Sequence, residues 1–396
     1  MKIAFFSDSY RPYISGVVNS IDTFKGELES RGHQVFIFAP DYPNAGSEPG
    51  VFRFSSIPAF TNPGFRVAIP FSLSVTSQVE ELGIDIIHTH SPFNMGILGA
   101  HIAEKLNLPL AFTYHTLYEE YAHYAPILEG VARKIAIKIS KDYCENCDLV
   151  ITPTAEIKER LHKYGTRNTI IPIPTGIPMK RYLEADRNWL SRNYPHLQGK
   201  TVILYLGRLG KEKNIYILWN IFRELQQQYQ DLHLLLVGGG PEEENIRKQV
   251  IKLGLRDKVT MTGYVEPEEV VNYYSGADIF AFPSETETQG LVVLEAMAAS
   301  LPVVAMDAQG PRDFLADTGA GLLAEPNASS FAERLKQLIE MGPAARSVMG
   351  EEARQIASEY SSGRMAERLI DSYNDLIALP KKGYYEDKQK SSLGMN

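Results

Sequence analysis

Short apolar runs alternate with polar, helix-like segments along nearly the whole chain. The apolar runs of the first half are rich in β-branched and aromatic residues, and they read KIAFFS, QVFIFAP, DIIHTH, LAFTYHT, DLVITPT and TIIPIP. Runs that are almost continuously apolar are typical of parallel strands buried on both faces. Polar segments between them, such as SIDTFKGELESRG with its terminal glycine, predict helices. The pattern therefore predicts an α/β fold built on a doubly wound parallel sheet.

The same alternation starts again in the second half of the chain. Its apolar runs read TVILYLGR, LHLLLVGGG, KVTMTGY, DIFAFPS, PVVAMD and GLLAEP, and a proline-rich polar stretch separates them from the first set. We therefore predict two Rossmann-like domains, 1–178 and 197–360, that face each other across a cleft, with ligands at the carboxyl ends of the strands. A helix at about 361–379 is expected to pack back on the first domain, and 380–396 to form a flexible tail.

Composition restricts the class of protein. The 396 residues are 44% hydrophobic and 22% charged, as in soluble globular proteins, and the net charge of -8 argues against a nucleic-acid binder. We see no signal peptide and no apolar run long enough to span a membrane. Two cysteines favour a reducing, cytoplasmic compartment. Cys144 and Cys147 have no further cysteine with which to form a zinc site, so we expect small buried residues.

One stretch, FPSETETQGLVVLEAMAASLPVVA, contains the strongest chemical signal. Glu295 lies in its apolar half, about two turns into a predicted helix, and a carboxylate there needs a partner. It can accept two hydrogen bonds from vicinal hydroxyls such as those of a ribose. Glu287 stands in the preceding loop, near the helix N-terminus, where free N–H groups favour an anion. Taken alone, Glu287 is better explained as a helix-capping or solvated residue, because acids before helices are common.

A basic pair opens the same domain. Arg208 and Lys213 follow a strand in LYLGRLGKEKN, and two positive charges beside an anion-binding helix would suit a diphosphate. Surface arginines and lysines are common, so the pair by itself is weak support for phosphate binding. The triple glycine in LLLVGGGPEEE permits close backbone approach to a ligand but lacks the spaced dinucleotide pattern.

Together these motifs resemble the donor-binding half of retaining glycosyltransferases of family four, which have the GT-B fold. The resemblance rests on the Glu-x7-Glu motif from Glu287 to Glu295, with LGRLGKEKN and LVGGGP upstream in the expected order. It implies that Arg208 and Lys213 hold the donor diphosphate, that Glu295 binds the ribose hydroxyls and that Glu287 contacts the donor sugar.

The resemblance also implies further donor-binding positions in the second domain. The backbone of Gln289, Gly290 and Leu291 would contact sugar and phosphate, Tyr264 and Val265 would flank the base, and Gly239 would line the donor site.

Two residues of the first domain fit the same family. Gly16 follows the first strand in SYRPYISGVVNSI, where a glycine can approach a phosphate, although a plain turn glycine is the simpler reading. His115 ends the strand in FTYHT, where the family has a histidine beside the donor sugar; outside the family it would be read as structural. His88 and His90 could line the acceptor site, but nothing in the sequence fixes their role.

The implied reaction is sugar transfer with retention of the anomeric configuration. The resemblance favours a front-face route in which the leaving diphosphate helps to deprotonate the acceptor, and Arg208, Lys213 and the loop N–H groups stabilise the departing charge. No Asp-x-Asp motif occurs in the chain. We therefore predict no metal and no cofactor, with the nucleotide sugar acting as substrate.

The acceptor is predicted from a resemblance to one branch of this family. FTYHTLYEEYAHY, PTGI and Gln289 look most like the branch that glucosylates 1,2-diacylglycerol, with UDP-glucose as donor. Another nucleotide sugar such as GDP-mannose, with a soluble, polyprenyl-linked or inositol-lipid acceptor, remains an alternative, as does a nucleotide-sugar-binding protein without turnover. A hydride-transfer enzyme fits less well because the spaced glycine pattern is missing.

A basic amphipathic segment, PILEGVARKIAIKISK, agrees with a lipid acceptor. It spaces Ile127, Val131, Ile135 and Ile139 at helical intervals among four basic residues: Arg133, Lys134, Lys138 and Lys141. Such a helix can lie on an anionic membrane surface, which predicts a peripheral protein on the inner face of the cell membrane. A packed helix with a solvated charged face explains the pattern equally well. The apolar loop 57–71 could touch lipid too, and the oligomeric state is left open.

Overall fold

The structure, a computed structural model, describes four stretches of the chain: residues 1–59, 64–70, 74–120 and 129–379. The predicted tail 380–396 and Ile127 lie outside the described residues, as does part of the apolar loop 57–71. The statements below concern the described residues.

The chain divides into two compact units. The first unit consists of Met1–Thr152, Leu161–Ile173 and the chain from Ala366 onward. The second unit consists of Pro153–Arg160 and Pro174–Met365. The domain boundaries predicted from the sequence stay predictions, and each unit is described by itself.

The first unit is built on seven parallel strands. Its strands in chain order are β1 (Lys2–Phe6), β2 (Gln34–Pro40), β3 (Val51–Phe54), β4 (Ser56–Pro58), β5 (Arg66–Ala68), β6 (Ile86–Thr89), β7 (Leu110–Thr113), β8 (Leu149–Thr152) and β9 (Ile170–Pro172). The main sheet has the order β3-β2-β1-β6-β7-β8-β9, and β4 pairs with β5 in a separate antiparallel hairpin. The strand order reverses around β1, so the loops after β1 and β6 meet at the switch point where such sheets bind ligands.

Helices join these strands: α1 (Gly16–Ser30), α2 (Val75–Leu82), α3 (Asn94–Leu106), α4 (Glu129–Asn146) and α5 (Ala155–Lys163). The first of them begins where the sequence favours it, because the side chain of Ser15 accepts a hydrogen bond from the Val18 amide at 3.3 Å. Apolar positions of α1, including Ile21, Phe24 and Leu28, are buried.

The second unit repeats the plan with six parallel strands. These are β10 (Thr201–Leu206), β11 (Leu232–Val237), β12 (Val259–Gly263), β13 (Ile279–Phe282), β14 (Val303–Met306) and β15 (Gly321–Ala324), in the order β12-β11-β10-β13-β14-β15. All six residues of β11 and all four of β13 are buried, as expected for a parallel sheet covered on both faces. The order reverses at β10, so the loops after β10 and β13 occupy the switch point.

Ten helices follow in the chain from residue 174 to residue 379: α6 (Met179–Leu183), α7 (Trp189–Asn193), α8 (Ile215–Gln228), α9 (Glu243–Lys252), α10 (Val270–Gly276), α11 (Leu291–Ala298), α12 (Pro311–Leu315), α13 (Ala328–Glu340), α14 (Gly342–Glu359) and α15 (Ser362–Ala378). The short α6 and α7 lie between the predicted domain ranges 1–178 and 197–360. From Ala366 the last helix counts with the first unit, where the Tyr373 hydroxyl lies 2.5 Å from Nδ1 of His88.

Each apolar run named above forms a strand, whereas β3, β4 and β5 were not predicted. The α/β fold class with two parallel sheets is therefore as expected. Within the described ranges, no helix combines the length and apolar character needed to cross a membrane.

Candidate active site

The loop after β13 leads into helix α11 through a left-handed glycine. Gly290 has φ 77° and ψ 49°, a conformation that favours glycine, and α11 begins at Leu291. Across the described chain, no hydrogen bond takes up the amide N–H groups of Gly290, Leu291 or Val292. Free N–H groups and the helix dipole favour an anion here, so the structure gives the predicted anion site its backbone donors.

Lys213 and Glu287 form the central ion pair of this site. Nζ of Lys213 lies 2.5 Å from Oε1 of Glu287, and the two side chains are only 19% and 18% exposed. Lys213 ends a 3-10 turn after β10, so the pair joins the loops that follow two neighbouring strands. A pair this sheltered is stronger than an ordinary surface pair.

Two more contacts fasten the same loops together. The side-chain amide of Asn214 donates to Oε1 of Glu285 at 2.9 Å, and the Thr286 hydroxyl donates to the Glu212 carbonyl at 3.2 Å. Arg208 follows β10, and its carbonyl accepts a bond from the Tyr205 hydroxyl at 2.9 Å. The Arg208 guanidinium is half exposed, and its distance to the nearest Glu212 oxygen is as long as 3.9 Å. This ion pair therefore holds the guanidinium weakly.

Glu295 is held by a tyrosine. The Tyr274 hydroxyl donates to Oε2 of Glu295 at 2.8 Å, and Tyr182 and Arg181 lie near enough to interact with it electrostatically. Burial raises the pKa of Glu295 to about 7, while the Tyr274 hydrogen bond and the charge of Arg181 oppose the shift. The sequence signalled the buried acid but not its partner, because Tyr274 lies on α10, which carries no motif.

The triple glycine is required for packing between loops. A Cβ on Gly239 would lie 2.4 Å from the ring of Tyr264, and one on Gly238 (φ 122°) would lie 2.2 Å from the Gly207 carbonyl oxygen. The Gly239 carbonyl accepts a bond from the Leu209 amide at 2.9 Å. Tyr264 is 71% exposed, so its ring presents one open surface at the carboxyl end of β12. The neighbouring Val265 is partly buried against the core.

Gln289 uses its side chain where only its backbone was predicted to act. Its Oε1 accepts from the Thr175 amide and its Nε2 donates to the Thr175 carbonyl, both at 2.9 Å. The Gln289 side-chain amide is buried, and both of its polar ends are satisfied by the backbone of Thr175. Sequence reasoning missed this contact because Thr175 is 114 residues away.

In the first unit, Gly16 is the first residue of α1. It is exposed, and a Cβ there would meet nothing within 4 Å, so the protein's own packing does not require glycine. In the described chain the amide N–H groups of Gly16 and Val17 have no hydrogen-bond partner. This open helix N-terminus at the switch point is compatible with the predicted phosphate approach.

His115 belongs to a cluster of three histidines at the ends of β6 and β7. His115 Nε2 lies 3.0 Å from His90 Nδ1, and the ring of His90 stacks on that of His88 at 4.4 Å. Both ring nitrogens of His88 have a hydroxyl partner: Nδ1 lies 2.5 Å from the Tyr373 hydroxyl and Nε2 lies 2.7 Å from the Thr113 hydroxyl. Burial lowers the pKa of His88 and of His115 to about 3 and that of His90 well below its usual value. All three are therefore neutral at neutral pH.

The basic segment forms helix α4 and exposes an apolar stripe. Val131 and Ile135 are each 53% exposed and Ile139 is 37% exposed, one helical turn apart. Three of the four predicted basic residues are exposed beside the stripe: Arg133, Lys134 and Lys138. Arg133 lies 3.7 Å from Glu120, and Lys138 pairs with Asp142. Lys141 is partly buried, and its ammonium lies 3.1 Å from the position of a Cβ on Gly165.

Cys144 and Cys147 are free, buried thiols at the end of α4, as expected, and burial raises the pKa of both. Among the described residues, no group of three or more His, Cys, Asp or Glu side chains is placed to hold a metal ion. Independence of metal stays a prediction.

Comparison with known proteins agrees with this arrangement. The description "Glycosyltransferase Family 4" matches residues 14–181, and "Glycosyl transferases group 1" matches residues 186–356. The alpha-monoglucosyldiacylglycerol synthase of Acholeplasma laidlawii is 31% identical over 95% of this chain and 98% of its own length. That of Streptococcus pneumoniae is 31% identical over 94% and 86%.

The chain belongs to glycosyltransferase family 4. The resemblance stated from the Glu287–Glu295 motif is thereby confirmed. So is the prediction of a nucleotide-sugar-dependent hexosyltransferase. A GDP-mannose-dependent alpha-mannosyltransferase of Corynebacterium glutamicum is similar as well, with 26% identity over 96% of this chain and 91% of its own length.

Solved structures support the fold of this glycosyltransferase. The sucrose-phosphate synthase of Thermosynechococcus elongatus has a TM-score of 0.77 at 22% identity and covers 95% of this chain and 99% of its own. The Anabaena protein HepE in complex with UDP-glucose has a TM-score of 0.75 at 19% identity, covering 95% and 100%. The predicted GT-B fold is confirmed.

The structure thus brings some predicted residues into contact and leaves others apart. Lys213 touches Glu287, and Gly239 lies against Tyr264, within one unit. In the described portion, the Glu295 side chain hydrogen-bonds to Tyr274, which was not predicted, and to none of the predicted site residues. The role of each residue toward a substrate stays a prediction.

Proposed function

We propose that this glycosyltransferase moves glucose from UDP-glucose to a lipid acceptor such as 1,2-diacylglycerol at a membrane surface, with retention and without a metal ion. The observation that carries the acceptor class is the likeness to two relatives named alpha-monoglucosyldiacylglycerol synthase, each 31% identical. The observation that supports the donor class is the site after β10 and β13, which combines Lys213 and Arg208 with the amide N–H groups at the start of α11.

The donor is proposed to bind the second unit through its diphosphate. Lys213 and Arg208 supply positive charge, and the amides from Gly290 to Val292 supply uncharged donors. Glu287 holds Lys213 in place at 2.5 Å and is proposed to contact the donor sugar. The ribose hydroxyls are proposed to donate to Glu295, and the base to lie against Tyr264 and Val265.

The reaction is proposed to follow a front-face route. The bond from the anomeric carbon to the diphosphate oxygen breaks, and the acceptor hydroxyl oxygen forms its bond on the same face. The acceptor's proton passes to a phosphate oxygen of the leaving diphosphate. Arg208, Lys213 and the loop amides lower the barrier by stabilising the negative charge that develops on that diphosphate, a contribution that grows where water is excluded.

The lipid acceptor has physical support in helix α4. Its exposed stripe of Val131, Ile135 and Ile139 lies in a stretch with four basic and no acidic side chains from residue 131 to residue 141. Apolar side chains that enter the headgroup region and lysines that meet anionic lipid act together in interfacial helices. We propose that α4 is the membrane contact and that the protein binds the membrane peripherally.

A GDP-mannose-dependent transferase is the second candidate. The specific observation in its favour is the 26% identity to the mannosyltransferase of Corynebacterium glutamicum over nearly the whole chain. Soluble, polyprenyl-linked and inositol-lipid acceptors go with that candidate. Membership of an enzyme family leaves little support for a binding protein without turnover.

The deciding experiment is turnover of a panel of UDP- and GDP-sugars in EDTA, with and without diacylglycerol in anionic mixed micelles. We expect release of UDP from UDP-glucose that depends on the lipid and is unaffected by EDTA. Release of GDP from GDP-mannose would favour the second candidate. Donor hydrolysis that ignores the lipid would contradict the lipid acceptor, and activity lost in EDTA would contradict metal independence.

A further inference from the structure

The histidine pair at the ends of β6 and β7 has a fixed geometry. His90 and His115 lie after neighbouring strands, and their rings are 20° from parallel with centroids 5.3 Å apart. The His90 ring is also stacked on His88 and meets the edge of Phe5 at 4.7 Å. Because His90 is packed on several sides and 2% exposed, it offers His115 a rigid partner.

The bond between them joins two neutral imidazoles. Burial disfavours the charged form of each ring, and no carboxylate contributes to the pKa of either. A neutral imidazole carries one N–H and one bare nitrogen, so one ring donates and the other accepts. Which ring donates decides which nitrogen of His115 carries the proton.

The second nitrogen of His90 settles the direction. Nε2 of His90 is buried and has no hydrogen-bond partner in the described portion of the chain. If Nδ1 accepted, Nε2 would carry a buried N–H with nothing to receive it, and orphaned buried N–H groups are rarer than orphaned acceptors. The arrangement with the proton on Nδ1 therefore has the lower energy, and His90 donates to Nε2 of His115.

We propose that His90 is a positioning residue that holds His115 in the tautomer with its proton on Nδ1. His115 then presents a hydrogen-bond donor to the substrate, because its Nε2 is occupied and its Nδ1 has no partner in the described chain. The inference rests on the proposed function for one detail, that the group receiving this bond is a hydroxyl oxygen of the donor hexose. It also leaves acceptor deprotonation to the leaving diphosphate, since a nitrogen that bears a proton cannot act as the base.

The tautomer can be measured without any substrate. In protein labelled with ¹⁵N-histidine, long-range ¹H–¹⁵N spectra at pH 7 distinguish a protonated ring nitrogen from a bare one, and His115→Gln and His90→Asn assign the signals. We expect a protonated Nδ1 and a bare Nε2 on both rings. A proton on Nε2 of His115 would overturn the inference.

Two nearly isosteric variants test the consequence for catalysis. The amide of His90→Asn can still donate from the place of Nδ1, whereas the carboxylate of His90→Asp can only accept, so a neutral His115 must carry its proton on Nε2. The variants are compared at alkaline pH, because the new carboxylate raises the pKa of His115 and a charged His115 would keep both N–H groups. We expect kcat/KM of His90→Asn to stay within about tenfold of the parent, and that of His90→Asp to fall about 100-fold as the donor toward the substrate is lost. Equal losses in both variants, or normal turnover by His90→Asp, would contradict the role of His90.

Failure of this inference is distinguishable from failure of the proposed function. If the sugar panel selects another hexose or acceptor, the tautomer spectra and the Asn–Asp comparison with that substrate still decide the role of His90. If UDP-glucose is turned over and His115 carries its proton on Nε2, only this inference fails. Thermal midpoints of both variants show whether a loss of activity merely reflects unfolding.

Discussion

The two units organise their polar groups in opposite ways at equivalent places in their sheets. At the switch point of the second unit, ions dominate: Lys213 is paired with Glu287, and Arg208 is half exposed beside them. At the first unit's strand ends, ring packing holds three neutral histidines, of which His88 and His90 are buried. The second unit therefore places charged side chains where a diphosphate is proposed to bind. The first unit instead fixes the positions of neutral rings by packing them against one another.

The largest expected effect comes from removing the sheltered lysine of the second unit, Lys213. Lys213→Met is expected to lower kcat about 100- to 1,000-fold, since one preorganised charge at a departing oxyanion contributes that much. Steady-state kinetics with the active nucleotide sugar measure it. Lys211→Met is the matched control, because that lysine is exposed in the same turn.

Part of the loss in Lys213→Met could come from leaving Glu287 unpaired and sheltered. The double variant Lys213→Met/Glu287→Gln removes that charge. If the double variant regained parental activity, Lys213 would not act on the diphosphate.

The buried acid of the second unit is the next test. Its folded pKa of about 7 lies above the usual 4.5, so the folded state binds the proton more tightly, and this stabilisation is lost as pH rises from 4.5 to 7. Glu295→Gln should therefore raise the free energy of unfolding at pH 8 by up to about 3 kcal/mol, a difference that disappears below pH 4.5. The same variant should weaken nucleotide-sugar binding about tenfold, as expected for a lost charge-assisted bond.

Thermal or urea unfolding of Glu295→Gln and titration calorimetry measure the two effects side by side. Glu285→Gln, an exposed acid of the neighbouring loop, serves as control. An unchanged dissociation constant would contradict the proposed ribose contact even if stability rises.

Surface charge in the first unit sharpens the comparison, because Lys134 and Lys138 of α4 are exposed, whereas His88 and His90 are buried. Lys134→Gln/Lys138→Gln is expected to weaken binding to anionic vesicles by about 2 kcal/mol, roughly 30-fold, with each lysine contributing about 1 kcal/mol near such a surface. Lys141 is left unchanged since it packs against Gly165.

Cosedimentation with vesicles measures the effect, and two exposed lysines of the second unit, Lys180 and Lys248, are replaced by Gln in the control. Equal losses in both double variants would assign the effect to net charge and contradict a specific role for α4.

The smallest expected effect concerns acid stability of the first unit. The folded pKa values of His88 and His115 are about 3, below the usual 6.5, so the unfolded state binds more protons as pH falls below 6.5. Each buried histidine then removes about 1.4 kcal/mol of stability per pH unit. His90→Asn should reduce the pH slope by that amount between pH 6.5 and 5.

Native-state hydrogen exchange of β6 and β7 amides, which reports local unfolding, measures this slope in the first unit. An identical slope in the variant would mean that His90 is not neutral in the folded state.

Much of the fold could be predicted because parallel strands are buried on both faces and therefore read as apolar runs. The short strands β3, β4 and β5 were missed: VFRF carries an arginine, and SIP and RVA are three residues long, too short for a pattern. The acid Glu295 stood out because its neighbours are apolar. Its partner Tyr274 and the Gln289–Thr175 contact depend on residues distant in sequence, which periodicity does not reveal.

The ion pair of Lys213 and Glu287 has one more consequence. The Glu287 carboxylate already pairs with the Lys213 ammonium group, to which the diphosphate is also proposed to bind. A single phosphate ion would have to compete with a carboxylate that is already hydrogen-bonded to the ammonium group, and it would gain few other contacts. A diphosphate carrying a sugar and a nucleoside brings further contacts that favour the exchange. If the diphosphate binds as proposed, the pair would therefore favour a large, multiply held anion over a small one.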